Sequence, residues 1–346
     1  MAAGNVDALL VSDISNVFYL TGFTGSTAAA IVTEAACCVL VDPRYSVQAR
    51  AECARSTVVE YSGKSTIAAV GEMLNDLKPR RLGYEADHLT VSLYRSLRSR
   101  TDPATAFRST KRFIEALRRV KDPGEIELTR KAAGIADSAF RFIIRGIRGG
   151  MSEKDVALLI DSTLRKLGAD KEAFDTIAAS GPRAACPHAS PTDAVLDPGS
   201  LLTLDFGARY RHYNSDITRT ICLGQPSSKQ KEVYGIVLDA QIRAIDAIGP
   251  GKAGKDIDAV ARDYIAAKGY GDNFGHGLGH SLGILVHDGP ALSRTSDVIL
   301  EPGMIVTVEP GIYIEGWGGV RIEDDVLVTE SGAEVLTHAT KELVSI

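Results

Sequence analysis

The sequence predicts an α+β protein in two parts: a small α/β domain, then a larger domain built as a pseudo-two-fold duplication. Three observations predict it. Strand-like and helical stretches alternate over residues 6–105. An acid-Pro-Gly turn leading into an apolar strand that ends on a carboxylate occurs twice, as Asp197–Asp205 and Glu301–Glu309, 104 residues apart. The helical segments ahead of these strands repeat too: Ile147–Val156 matches Ile248–Ile257 at an offset of 101, which Gly168 and Gly269 also obey. Helices then strands, twice over, is the pattern of a duplicated α+β domain with antiparallel pairing.

In the first part, Val6–Val11 reads as a strand. Ala28–Thr33 and Cys37–Val41 read as a hairpin turning at Glu34-Ala35, and a helix follows Asp42-Pro43. Further strands fall at Thr57–Tyr61 and Arg81–Glu85, with helical stretches between them. Phe107–Lys121 reads as charged and helical, and Lys121-Asp122-Pro123-Gly124-Glu125 as its stop and the start of the next helix. These signals assign residues 1–112 to the first domain, about 108–122 to a linker helix and 123–346 to the second domain.

With 346 residues, 45% of them apolar, the chain can fill two cores. The net charge of −5 and the lack of a basic stripe argue against a nucleic-acid partner. No apolar run is long enough for a membrane span and no signal-peptide pattern opens the sequence, so a cytoplasmic protein is expected. Five cysteines (Cys37, Cys38, Cys53, Cys186, Cys222) form no CxxC pair and are odd in number. They read as small core residues rather than disulfides, nucleophiles or ligands. His212 and His338 read as surface residues and His88 as a helix-start residue. Arg44 reads as solvated at a helix start in preference to a substrate contact.

The chemistry is carried by the acids. Each acid-ended strand has a second carboxylate a hairpin away: Asp216 after Asp205, Glu323 after Glu309. A reversal near Tyr210-Arg211 places Asp205 directly opposite Asp216, and one around Gly316–Gly319 does the same for Glu309 and Glu323. A lone acid in an apolar strand is expensive to bury, and like charges facing each other are destabilising unless a cation lies between them. Four carboxylates suffice to bridge two divalent ions. The remaining ligand should be nitrogen. Phe274–Asp288 offers His276, His280 and His287 among glycines that let the backbone crowd a site, and His188 precedes the first acid strand.

The order Asp, Asp, HGxGH…H, Glu, Glu, with Pro-Gly ahead of both acid strands, resembles the "pita-bread" metallopeptidases, and more narrowly the Xaa-Pro aminopeptidase and prolidase group. The similarity covers nearly the whole chain. The HGxGH spacing separates it from methionine aminopeptidases, whose chains usually also lack an N-terminal domain. The resemblance implies a pita-bread catalytic domain behind a creatinase-like N-terminal domain. It implies metal ligands Asp205, Asp216, His280, Glu309 and Glu323, with Asp216 and Glu323 bridging. It matches Glu309 to the general base, His188, His276 and His287 to non-ligand active-site histidines, and Arg321 to the arginine that supports the bridging carboxylate.

The same likeness implies two divalent ions, Mn²⁺ first with Co²⁺ or Zn²⁺ as alternatives, proline-containing peptide substrates and a homodimer. Phe18–Ser26 and Val41–Ala49 resemble stretches of short bacterial aminopeptidase P-like proteins; the helix that usually precedes the first strand is missing or reduced to Met1–Asn5. An Xaa-Pro aminopeptidase acting on longer peptides is expected ahead of a strict dipeptidase. A metal-free creatinase-type hydrolase or a non-catalytic peptide binder would have lost part of the ligand set, which is complete here.

Overall fold

After Asp7 the first strand has no polar residue, and it is buried on both faces, as a central strand must be. It is β1 (Ala8–Val11), within a sheet formed with β2 (Ala29–Thr33), β3 (Cys37–Val41), β4 (Thr57–Glu60), β5 (Arg81–Glu85) and β6 (Ala106–Thr110). The strand order is β4-β3-β2-β1-β5-β6; β2 runs antiparallel to both neighbours, and the other pairings are parallel. Helices α1 (Ile14–Thr21), α2 (Ser46–Glu52), α3 (Thr66–Leu77) and α4 (Val91–Arg98) lie between the strands. The side chains of Asp13, Ser65 and Thr90 cap three of them. The computed structural model describes residues 5–346, so the expectation for a helix at Met1–Asn5 lies, Asn5 apart, outside the described residues.

The chain divides into compact units Met1–Leu117 and Arg118–Ile346. The helical reading of Phe107–Lys121 is corrected. Its first part is strand β6, parallel to β5, and the only helix in the stretch is short, α5 (Glu115–Arg118). The many charges that suggest a helix are accommodated because β6 is the last strand of its sheet, with Arg108 and Ser109 exposed.

The second unit repeats itself. α6 (Pro123–Gly146) and α7 (Glu153–Lys166) precede β7 (Lys171–Glu172), β8 (Ile177–Ser180), β9 (Leu201–Phe206), β10 (Ala208–Tyr210), β11 (Tyr213–Asn214) and β12 (Ile217–Cys222). α8 (Ser228–Ala247) and α9 (Gly254–Ala267) then precede β13 (Gly279–His280), β14 (Ala291–Leu292), β15 (Ile305–Val308), β16 (Gly311–Ile314), β17 (Gly318–Arg321), β18 (Asp324–Val328) and β19 (Ala333–Val335). α6 opens on a capping box between Asp122 and Glu125 with Pro123 inside it, as the sequence signals require.

Local geometry repeats as well. Ser200 N–H donates to Asp197 O and Met304 N–H to Glu301 O, while Gly199 and Gly303 have φ of 83° and 87°. Both acid-Pro-Gly runs are therefore turns with proline first and a left-handed glycine second, a conformation that glycine adopts freely. Each half has its own core. Ala136, Phe140, Ile160 and Leu164 pack with Leu202 and Leu204 in one; Val233, Ile245, Ile257 and Ile265 pack with Val306 and Val326 in the other. Every such fully buried aliphatic or aromatic side chain stabilises the fold by about 1.5–3 kcal/mol.

The registers locate the acids. β15 pairs with β18 as Val308↔Asp324, and β16 with β17 as Gly311↔Arg321, so Glu309 falls opposite Glu323 as expected. The first hairpin differs. β9 pairs with β12 as Asp205↔Thr218, and β10 with β11 as Tyr210↔Tyr213. The reversal is at Arg211-His212, both with positive φ (47° and 73°), not at Tyr210-Arg211. Asp216 is therefore two residues removed from direct opposition to Asp205. Because side chains alternate with a period of two, the even slip keeps both acids on one face.

Smaller corrections concern single residues. Cys186 is exposed rather than in a core, and no cysteine is in a disulfide. His212 is half-buried in the hairpin turn, its Nδ1 2.7 Å from Arg209 Nη2. His88 lies in the turn before Thr90, the cap of α4. Arg44 is exposed and paired with Asp42, as the solvated reading expects. Among the described residues no helix is long and apolar enough to cross a membrane.

Candidate metal centre

The two hairpins of the second unit meet side by side. Glu323 N–H donates to Thr218 O, Thr218 Oγ1 donates to Glu323 Oε2 at 2.6 Å, and Arg321 N–H donates to Thr220 Oγ1. This stitching carries the acid of one hairpin to the acids of the other. Asp216, His280 and Glu323 each present a ligand atom, and these atoms lie within 4.8 Å of one another. His280 Nε2 is 3.6 Å from Asp216 Oδ2 and 3.5 Å from Glu309 Oε1. A single cavity of about 770 Å³ is lined by all nine residues singled out in the sequence: His188, Asp205, Asp216, His276, His280, His287, Glu309, Arg321 and Glu323.

Close backbone packing sets His280 in place. It sits on β13, and its N–H donates to Thr307 Oγ1 beside β15. A Cβ on the preceding Gly279 would lie 2.0 Å from Thr307 O, so only glycine permits this approach. His280 Nδ1 is 3.3 Å from Ser281 O, which favours the tautomer with hydrogen on Nδ1 and leaves Nε2 facing the carboxylates. Burial, reinforced by neighbouring His287, lowers its pKa to about 4, so the ring is neutral at pH 7, as a ligand must be.

The carboxylates are held against their preference. Burial and the charges of their neighbours push Asp216 and Glu323 well above the usual carboxylate range. Burial raises Glu309 to about 7, with Asp205 adding to it and Arg321 opposing. Asp205 Oδ1 and Asp216 Oδ1 are buried and have no hydrogen-bond partner. Buried acceptors without donors, crowded with like charges around a neutral imidazole, have the chemistry a divalent cation needs. The residues fit the metal.

Arg321 requires a correction. Its Nη2 donates to Asp205 Oδ2 at 2.6 Å and its Nε to Thr218 Oγ1, so its hydrogen bonds reach the expected bridging carboxylate Glu323 only through Thr218, while its charge also favours the ionised Glu323 directly. Tyr313, which sequence reasoning missed, links this arginine to a histidine. Its hydroxyl is 2.9 Å from both Arg321 Nη1 and His276 Nε2. A tyrosine four residues after Glu309 in a strand-like run reads as packing, and no signal marked it. His276 stands edge-on to Phe274, 5.1 Å between ring centres, and burial lowers its pKa to about 4. His287 stacks at a tilt 4.0 Å from His280, and His188 is exposed at the cavity.

A duplicated α+β domain whose two hairpins converge four acids beside an imidazole from β13 defines a metallohydrolase of the pita-bread class. Residues 127–330 match metallopeptidase family M24, and residues 1–120 match the creatinase/prolidase N-terminal domain. The chain belongs to metallopeptidase family M24 and is a metal-dependent peptidase. It is 39% identical to the Xaa-Pro dipeptidase of Pyrococcus furiosus, over 99% of this chain and 97% of that one. The solved Xaa-Pro dipeptidase of Bacillus anthracis superposes with a TM-score of 0.96 at 43% identity, covering 100% of this chain and 96% of the other. The X-Pro aminopeptidase of Thermotoga maritima superposes with a TM-score of 0.93 at 40% identity, covering 100% and 99%.

Proposed function

We propose that this chain hydrolyses the Xaa-Pro bond at a free peptide N-terminus, with Xaa-Pro dipeptides as its first substrate class and longer Xaa-Pro-Yaa peptides as its second. The observation that carries it is the convergence of the four acids and His280 in one cavity. The order expected from the sequence, longer peptides first, is reversed because close relatives over the full length are dipeptidases. The Thermotoga aminopeptidase keeps the longer substrate as the second reading.

Asp205, Asp216, His280, Glu309 and Glu323 would hold a pair of divalent cations, Mn²⁺ first for so oxygen-rich a set, with Co²⁺ and Zn²⁺ as alternatives. When bound, such a pair supplies the Lewis acidity that polarises the scissile carbonyl and activates water near neutral pH. Thr307 donates to Glu309 Oε1 at 3.1 Å, leaving Oε2 to accept the water's proton and pass it to the departing proline nitrogen. His287 and His188 donate ring N–H groups to the oxyanion; loss of one such donor slows turnover about 10²–10³-fold. The Xaa-Pro bond carries no N–H, so its recognition needs no acceptor at that nitrogen. Phe174, Ile177, Pro187 and Val286, with His276, supply a largely apolar wall for the ring.

The test compares Xaa-Pro, Xaa-Pro-Yaa and Xaa-Ala substrates, after chelation and after Mn²⁺ is restored. Metal-restored cleavage of the proline substrates, fastest on the dipeptide, is expected. Equal rates with and without metal, or no preference for proline, would overturn the reading.

A further inference from the structure

Several buried carboxylates of the second unit, among them Asp137, Asp258 and Glu153, belong to neither the candidate ligand set nor its supporting arginine, and Glu153 borders the loop that carries His188. Glu153, the first residue of α7, is completely buried. Its Oε1 accepts the Ser180 N–H at 2.8 Å and the Ser180 hydroxyl at 3.3 Å, and its Oε2 accepts the Thr192 N–H at 3.0 Å and the Thr192 hydroxyl at 2.7 Å. Arg183 donates through Nε to Oε2 at 2.9 Å, and through Nη2 to Ser190 O at 2.7 Å. These contacts enclose a loop. Ser180 lies before it, Thr192 after it, and Arg183 reaches across to Ser190, two residues beyond His188. The segment that brings His188 to the cavity is thus pinned at both ends by a single side chain.

The duplication shows that the fold does not require this acid. The counterpart of Glu153 at the 101-residue offset is Gly254, with matching backbone pairing: Glu153 N–H donates to Ala194 O, and Gly254 N–H to Val298 O. A Cβ at Gly254 would meet Ser296 Oγ at 2.8 Å, so a side chain there would require Ser296 to move. At this helix position only the first half buries a charge; the second half's buried helix acid, Asp258, sits four residues further on and accepts the Leu278 N–H instead. Burying a carboxylate is costly unless donors surround it, and here five donating groups do so.

We infer that Glu153 is a positioning residue for catalysis, holding the Cys186–Pro191 loop so that His188 presents its ring N–H to the reacting carbonyl. The inference rests on the peptidase reading above. Misplacing a catalytic donor by about 1 Å can slow a reaction about 100-fold, so a remote clamp of this kind is worth a readable part of the rate.

A double-mutant cycle tests it. Glu153→Gln in the Mn²⁺-loaded enzyme is expected to lower kcat about tenfold or more, with KM changed less and bound metal unchanged. In the His188→Ala background the same substitution should change kcat less than about twofold, because its effect passes through the missing ring. Thr192→Val, which removes one donor and keeps the backbone bond, serves if Glu153→Gln does not fold, and should show the same coupling on a smaller scale. Independent multiplication of the two effects would overturn the inference. A second readout needs no turnover: in the metal-free protein the His188 ring Cε1–H resonance, identified by its loss in His188→Ala, should shift or broaden in the Glu153 or Thr192 variant. An unchanged resonance would likewise overturn the inference, whereas absence of Xaa-Pro cleavage by the unaltered enzyme would count against the substrate reading alone.

Discussion

Asp216→Asn is expected to abolish metal-dependent turnover while raising the melting temperature of the metal-free chain. Asp216 is buried beside Glu323, Asp205, Asp325 and Glu309, whose charges compound the effect of its burial on the carboxyl group. Its Oδ1 finds no donor, and its backbone N–H is already committed to Asp325 Oδ2. Without metal, removing one charge from such a set relieves repulsion. Each kcal/mol relieved moves the midpoint by about 2–4 °C for a unit of this size. With Mn²⁺ present the sign reverses. The unaltered protein gains about 2.7 kcal/mol at a hundredfold excess over the dissociation constant. The variant, short of one ligand, forfeits most of that. Melting curves in chelator and in Mn²⁺, with metal counted in each sample, read both halves of the expectation. Normal turnover, or equal metal content in the two proteins, would remove Asp216 from the ligand set.

Glu309→Gln should separate holding metal from using it. The amide keeps an oxygen for a cation and an acceptor for Thr307 Oγ1, but it cannot take up a proton. A rate loss of about 10²–10⁴ is expected, the usual worth of a positioned base, with at least one metal ion retained. Metal analysis beside the rate distinguishes the outcomes. If metal and activity vanish together, holding metal accounts for the loss. An undiminished rate would take it out of the chemistry altogether.

Much of this site was legible in the sequence because the duplication repeats its own turn chemistry. Acid-Pro-Gly ahead of Leu201 and again ahead of Ile305 marks both strand starts, and the acids ending those strands have no apolar explanation. What was not legible has identifiable causes. The first hairpin turns at Arg211-His212, which carries none of the Asn-Gly or Asp-Gly signals that mark such a turn, so its register reads two residues off. The alternation of β6 is short and precedes a charged helical pattern, which dominates any window that includes both. The target of Arg321 depends on which of two adjacent hairpins its strand faces, and one chain read in order does not show that. Glu153 reads as an ordinary acid in the first turn of a helix, where it would favour the dipole from solvent; only the three-dimensional loop reveals its five donors.

The two halves supply their acids in unequal lengths: Asp205 and Asp216 from one hairpin, Glu309 and Glu323, each a methylene longer, from the other. The single imidazole, His280, also comes from the second half alone. The ligand set proposed above would seat two ions that repel each other even in a mirrored nest, and its unequal arms with one imidazole make the two seats chemically different; a calorimetric titration of the stripped protein with Mn²⁺ should therefore resolve two steps of different affinity instead of one.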